Sequence, residues 1–252
     1  MTNKKIAFFS SPCKYIDDIL ETIKEAYYLE WDLNTLPFSL NIRRMTYVRD
    51  FIQDNGEVRF HLPHAFWDIG TNDKNILKNS FGYYCRLLEM IRFFNAQYAV
   101  IHIGAATGAD EEASLKNLYK LAKYANDNGV KLCVENLIHG LSSDISFIKK
   151  CLEIPHVNMC LDTGHAECVY RKKGEEVFKT IATFKDKILH AHIYHYEDEN
   201  INHIPLSEDT IKGYRWLDIL QDSPCEWYTM ELDLQKDQEN QKVLVENYIK
   251  NI

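Results

Sequence analysis

Residues 188–203, ILHAHIYHYEDENINH, hold four of the ten histidines of this chain: His190, His192, His195 and His203. An imidazole can ligate a metal, exchange a proton near neutral pH, or sit hydrogen-bonded in a core. Three carboxylates occur in comparable settings, each near the end of a short apolar run: Glu135 in KLCVEN, Asp162 in HVNMCLD and Glu231 in WYTMELD. His165 follows Asp162 in LDTGH, His102 stands in QYAVIHI and His64 closes LPH. Metal-capable and acid–base groups at the ends of apolar strands are the raw material of a buried polar site.

The elements that must position them are legible from periodicity. Eight β-rich runs recur, at residues 5–10, 27–33, 57–62, 97–103, 131–136, 156–162, 188–194 and 227–233. Amphipathic stretches separate them, such as DDILETIKEA, LKNSFGYYCRLLEMIRFFNA and ASLKNLYKLAKYANDNG. The last places Leu115, Leu118, Leu121 and Ala122 on one helical face and stops at Gly129. A helix over residues 236–250 closes the chain. Eight strand–helix units in 252 residues have the size and rhythm of a (β/α)8 TIM barrel, an α/β fold. The first turn, SSPCKY, lacks the glycine fingerprint of an open dinucleotide-binding sheet. No Pro/Gly/Ser-rich linker divides the chain, so residues 1–252 are expected to form one domain.

Active sites of such barrels lie at the C-terminal strand ends. Side chains alternate along a strand, so Glu135 shares a face with Cys133, Asp162 with Cys160, His192 with His190 and Glu231 with Thr229. Four such groups, on adjacent strands five to eight and pointing into one mouth, would repel or desolvate one another without a cation. Glu135, Asp162, His192 and Glu231 offer three oxygen ligands and one nitrogen, a set suited to one divalent ion: Mn, Mg, Co or Zn. His190, one layer lower, is expected to be a core residue bonded to backbone, and His195 a loop residue facing pocket or solvent. Phe9, Trp31, Phe66, Trp67 and Tyr194 are aromatics near the mouth, available for stacking on a sugar or for packing.

Composition excludes several function classes. The formal net charge is −8 and basic residues are scattered, which disfavours nucleic acid and anionic membranes as partners. No apolar run reaches membrane-spanning length. The seven cysteines have no CxxC pair, as expected of reduced thiols in a cytoplasmic protein. The expected partner is a small-molecule substrate, and a homo-oligomer is compatible with the sequence.

LPHAFWDIG, AVIHIG, VENL, LDTGH, HAHIYHYEDENINHIP and MELD together make the chain resemble the xylose-isomerase-like TIM-barrel superfamily, over nearly its whole length. That superfamily includes sugar isomerases and epimerases, inosose dehydratases and endonuclease IV. The resemblance implies that Glu135, Asp162, His192 and Glu231 are a shared metal site, with Glu135 and Glu231 as the acid–base pair. It implies that His64, His102, His165 and His203 line the substrate pocket, His203 lying eleven residues after His192. It points to a metal-dependent isomerase or epimerase of a small sugar, polyol or hydroxycarbonyl, with dehydratase chemistry close by. The alternatives are an endonuclease IV-like phosphodiesterase and a non-catalytic sugar-binding barrel. The loop after His192 departs from the family: His195-Tyr196 replaces the usual Asp-Asn, PLSEDT lacks the expected glycines, and no arginine lies between Arg171 and Arg215. Ile201 stands where the endonucleases have an aspartate that helps hold a third metal.

Overall fold

The computed structural model describes residues 4–34, 42–64, 68–106, 108–197 and 202–250. Eight parallel strands close into a barrel in sequence order: β1 Lys5–Phe9, β2 Tyr28–Asp32, β3 Glu57–His61, β4 Tyr98–Ile101, β5 Lys131–Glu135, β6 Val157–Asp162, β7 Ile188–Ile193 and β8 Trp227–Met230. Pairing of β1 with β8 through Lys5–Trp227 to Phe8–Met230 seals the cylinder and leaves no sheet edge. This is the (β/α)8 barrel expected from the sequence. The strands are shorter than the apolar runs, so His102 and Glu231 stand one residue beyond β4 and β8.

Helices follow the strands: α1 Ile16–Ala26, α2 Ile42–Asn55, α3 Lys74–Phe93, α4 Glu111–Asp127, α5 Ile145–Glu153, α6 Thr163–Lys173, α7 Glu175–Thr183, α8 Glu208–Ile211, α9 Arg215–Gln221 and α10 Gln235–Lys250. Several starts are set by aspartates accepting from free backbone N–H groups, as Asp73 does for α3, Asp110 for α4 and Asp144 for α5. The helices bury apolar faces against the outside of the barrel. Trp31, Phe60 and Phe94 pack there as an aromatic cluster, so Trp31 belongs to the core rather than to the mouth.

The barrel lumen is a separate, smaller space. Val100, Cys133 and Cys160 form its own apolar cluster, with Tyr98 and Leu189 against it. One irregularity matters. Across β6 and β7, Met159 pairs with Ile188 but Cys160 pairs with His190, so Leu189 is passed over. The extra residue is a bulge, and it places Cys160 opposite His190 and Asp162 opposite His192. All seven cysteines are free, and six are buried. Among the described residues, no helix is long and apolar enough to cross a membrane.

Candidate active site

Six residues of the sequence-derived site, all but Asp162 and His192, line one cavity of about 560 Å³ at the C-terminal mouth: His64, His102, Glu135, His165, His203 and Glu231. Asp162 and His192 are fully buried. A wider groove of about 900 Å³ runs along the outside of α3 and α4, but its polar lining is lysines, asparagines and one arginine, with no cluster of acid–base or metal-capable groups. The mouth is therefore the candidate site.

The four expected ligands converge on His192 Nδ1. Glu231 Oε2 lies 2.9 Å from it, Glu135 Oε2 3.5 Å and Asp162 Oδ2 3.8 Å. His192 Nδ1, Asp162 Oδ2 and Glu231 Oε2 are buried, yet none has hydrogen-bonding geometry to any partner. Leaving such atoms without hydrogen bonds is costly, and three of them facing one point, with only ion-pair contacts among the charged groups around them, make a socket that could hold a cation. Asp162 divides its two oxygens. Oδ1 caps α6 by accepting from the His165 backbone N–H at 2.7 Å, and Oδ2 faces the socket, 3.1 Å from His165 Nδ1. The glycine of the DTGH motif has a packing reason: a Cβ on Gly164 would overlap the ring of Tyr194.

Histidines surround the carboxylates. Glu135 Oε2 lies 3.1 Å from Nε2 of both His61 and His102. His61 Nδ1 also faces an acceptor, the Leu62 carbonyl, so both ring nitrogens face oxygens. Burial would discharge this ring, but the Glu135 hydrogen bond and charge prevail and raise its pKa to about 9. His165 behaves alike: burial opposes its charge, while Asp162 and Glu135 raise it to about 10. For Asp162 burial dominates and lifts the carboxyl to about 6. For Glu231 burial is overcome by His192, which pulls the carboxyl down to about 2. His64 and His102 approach each other at 2.8 Å between Nδ1 atoms.

Sequence reasoning missed several residues of this region. His61 and Asp32 line the mouth beside His64 and His102. Glu197 stands between His165 Nε2 at 3.8 Å and His203 Nε2 at 3.4 Å, so those two histidines share a carboxylate although the sequence has Ile201 where the endonucleases have an aspartate. Glu30 is fully buried under the mouth, 2.6 Å from His190 Nε2 and 3.1 Å from His192 Nε2. His190 is a core residue as expected, but its ring bonds to side chains rather than to backbone: Glu30, Thr229 and Arg59. His195 does not line the cavity; its ring approaches Arg171 and packs on Tyr196 and Tyr214. Phe9 lines the cavity, with its ring 6.0 Å from those of His61 and His192. Tyr194 is buried and touches the His203 ring at 4.8 Å. Phe66, Trp67 and Ile201 lie outside the described residues.

The sequence profile of the xylose isomerase-like TIM barrel family matches residues 28–247. The chain belongs to that family. An uncharacterized protein of Methanocaldococcus jannaschii is 27% identical to this family member over 186 residues, 72% of this chain and 75% of that one. Among solved structures, a D-tagatose 3-epimerase-like protein superposes with a TM-score of 0.79 at 14% identity, covering 98% of this chain and 97% of its own. The D-psicose 3-epimerase of Clostridium cellulolyticum H10, solved with D-tagatose, gives 0.66 at 16% identity over 98% and 99%. A xylose isomerase domain-containing protein of Salmonella typhimurium LT2 gives 0.70 at 17% over 99% and 96%. At these identities the superpositions speak for the barrel fold of this family member.

Proposed function

We propose that this xylose isomerase-like barrel is a metal-dependent epimerase or isomerase of a small sugar, polyol or hydroxycarbonyl, built as one domain. The observation that carries the reading is the socket. Three buried polar atoms without hydrogen bonds, Asp162 Oδ2, His192 Nδ1 and Glu231 Oε2, converge together with Glu135. A mixed oxygen–nitrogen set of this kind fits one divalent ion of the Mn, Mg, Co or Zn type. A solved neighbour that is a sugar 3-epimerase, and another described as 3-epimerase-like, support the same substrate class.

When bound, a divalent ion supplies Lewis acidity at the carbonyl and hydroxyl oxygens of the substrate and so weakens the adjacent C–H bond. The chain supplies the rest. Glu135 and Glu231 are both held ionised despite their burial, as proton acceptors must be. One removes the proton beside the carbonyl. For epimerisation the other first takes up a proton from a substrate hydroxyl or water and then delivers it to the opposite face of the carbon, while for an aldose–ketose shift a single carboxylate carries the abstracted proton between positions. His61 and His102 fix the Glu135 carboxylate through Oε2. His64, His165 and His203 line the cavity and present polar atoms to substrate hydroxyls, with Glu197 behind the last two. Phe9 gives the cavity an apolar face.

The test is exchange of substrate protons. Protein loaded with Mn²⁺ or Co²⁺ is incubated with a panel of ketoses and hydroxycarbonyls in deuterated water. The expected result is deuterium incorporation beside the carbonyl that chelator abolishes and added metal restores. Protein that binds no divalent ion, or a loaded protein that exchanges no proton of any panel member, would count against the reading. The same preparation should not nick a duplex carrying one abasic site. Fast cleavage with several bound metals would favour the phosphodiesterase alternative.

A further inference from the structure

Beneath the socket lies a chain of polar side chains that the proposed chemistry does not use directly. Arg59 on β3 is 7% exposed, and its guanidinium is held between the rings of Tyr98 at 3.6 Å and Trp227 at 4.6 Å. Its Nη1 donates to the carbonyl of the bulged Leu189 at 2.9 Å and approaches His190 Nδ1 at 3.2 Å. His190 Nε2 is 2.6 Å from Glu30 Oε2. Glu30 in turn meets His192 Nε2 through both oxygens, at 3.1 and 3.2 Å. Trp227 Nε1 donates to Thr229 Oγ1 at 3.1 Å, and Thr229 Oγ1 donates to Glu30 Oε2 at 2.6 Å.

The direction of every proton in this chain follows from which groups can only donate. A guanidinium has no acceptor, so the contact from Arg59 requires a bare lone pair on His190 Nδ1. The proton of a neutral His190 is then on Nε2 and points to Glu30. An indole N–H also only donates, so Thr229 accepts from Trp227 and turns its own hydroxyl proton to Glu30. Glu30, ionised, only accepts. Its remaining contact therefore takes the Nε2 proton of His192, so Nδ1 is the ring nitrogen left to a metal, which would displace any second proton held there by the surrounding carboxylates. That nitrogen is the one facing Glu231, Asp162 and Glu135.

We propose that Arg59, His190 and Glu30 are positioning residues that fix the His192 tautomer, presenting Nδ1 rather than Nε2 as the metal ligand. The inference rests on the reading of a metal at the mouth. It assigns a function to residues one layer below any substrate contact: a donor-only group low in the barrel decides which nitrogen is bare at the top. A carboxylate behind a metal-bound imidazole also raises its basicity, and loss of such a partner typically costs 10–100-fold in metal affinity.

Two measurements test it. The first is Co²⁺ affinity by competition with a chromogenic chelator. Glu30→Gln keeps the shape but replaces one acceptor oxygen with a donor, and it should weaken binding by about 10–100-fold. The second is the long-range nitrogen–proton NMR pattern of ¹⁵N-histidine protein. In the wild type, His190 should carry its proton on Nε2, and His192 in the Zn²⁺-loaded form should be protonated on Nε2 and bound through Nδ1. Arg59→Lys should keep the His190 pattern, because an ammonium also only donates, whereas Arg59→Met should release it. Wild-type affinity in Glu30→Gln, or a proton on His190 Nδ1 in the wild type, overturns the proposal. Wild-type protein that takes up no Co²⁺ overturns the metal reading instead. The resonances of His190 in the metal-free protein then decide the proton chain by themselves.

Discussion

Low in the barrel, Arg59, His190, Glu30, Thr229 and Trp227 connect to one another through a continuous run of donors and acceptors. At the rim, Asp162 Oδ2, His192 Nδ1 and Glu231 Oε2 point together and have no hydrogen-bond partner. Both layers are buried and charged, and they are separated by a single step along β7, from His190 to His192. The lower layer is a closed network, satisfied within the chain, and such networks rigidify a core. The upper layer is an open one, which the chain alone does not satisfy. Polar groups left unsatisfied on a rigid support mark where a protein accepts stability loss for chemistry.

The contrast is broken most severely at the rim. Glu135→Gln and Glu231→Gln should each lower turnover by about 10²–10⁴-fold, the usual share of a general acid or base. Metal content is measured in the same samples, because each glutamate is also an expected ligand. Near-wild-type turnover in either fully loaded variant removes that glutamate from the mechanism.

One layer down, the damage should appear in folding. Thr229→Val preserves shape but takes a donor from Glu30 and strands the Trp227 N–H. Two buried polar groups each lose a partner, so urea denaturation should show a loss of about 2–4 kcal/mol. A change under about 0.5 kcal/mol would mean that the lower layer is not the closed network described.

Metal should narrow the difference between the layers. Adding Mn²⁺ at about 100 times its dissociation constant should stabilise the wild type by about 2.7 kcal/mol, seen as a rise in Tm that chelator reverses. Thr229→Val should retain that rise, and Asp162→Ala should lose most of it. An unchanged wild-type Tm at saturating metal would deny the socket its cation.

The smallest effect is expected far from both layers. Asp144 caps α5 by accepting from Ser146 N and Oγ, and Asp144→Ala should cost about 1 kcal/mol with turnover unaffected. Slight burial would raise this carboxyl, but the Ser146 hydrogen bonds lower it overall. Its contribution is therefore complete above the ordinary aspartate pKa and fades as the pH falls through the lowered one. A wild-type pH–stability curve that matches the variant's in that acid range would refute the assignment.

The sequence shows the rim more clearly than the layer beneath it. Glu135, Asp162 and Glu231 each end an apolar run, and the strand ends of a barrel are where chemistry is expected. The same alternation puts Glu30 with Asp32 on one face of β2, and Arg59 with His61 on one face of β3. Between Leu29 and Trp31, which face the helices, Glu30 can only point into the lumen. That signal is present but quiet, since a charge in mid-strand matches no motif and its partners lie on β7 and β8, about 160 and 200 residues away. The bulge at Leu189 is not legible at all. It depends on how β6 and β7 pair, and no local residue pattern announces the skipped position. Glu197 is hidden for another reason: it approaches His165 and His203 through the fold of a loop, whose course periodicity does not encode.

Asp162 ends β6, starts α6 with one oxygen and faces the socket with the other. A family that diversifies its substrates has to change the mouth without disturbing what holds it together. Here the backbone that carries His165 is tied to the same carboxylate as the socket, so drift in α6 would be felt at once by both. The segments after β1, β2 and β7 supply the cavity with Ser11, Asn34 and Asn202, and these three side chains do not cap a helix, although Asn34 accepts from the His64 backbone N–H at 3.0 Å. New specificities would therefore be expected to arise there, with the start of α6 changing last. The unusual sequence between Tyr194 and Lys212 in this chain fits that division of evolutionary freedom.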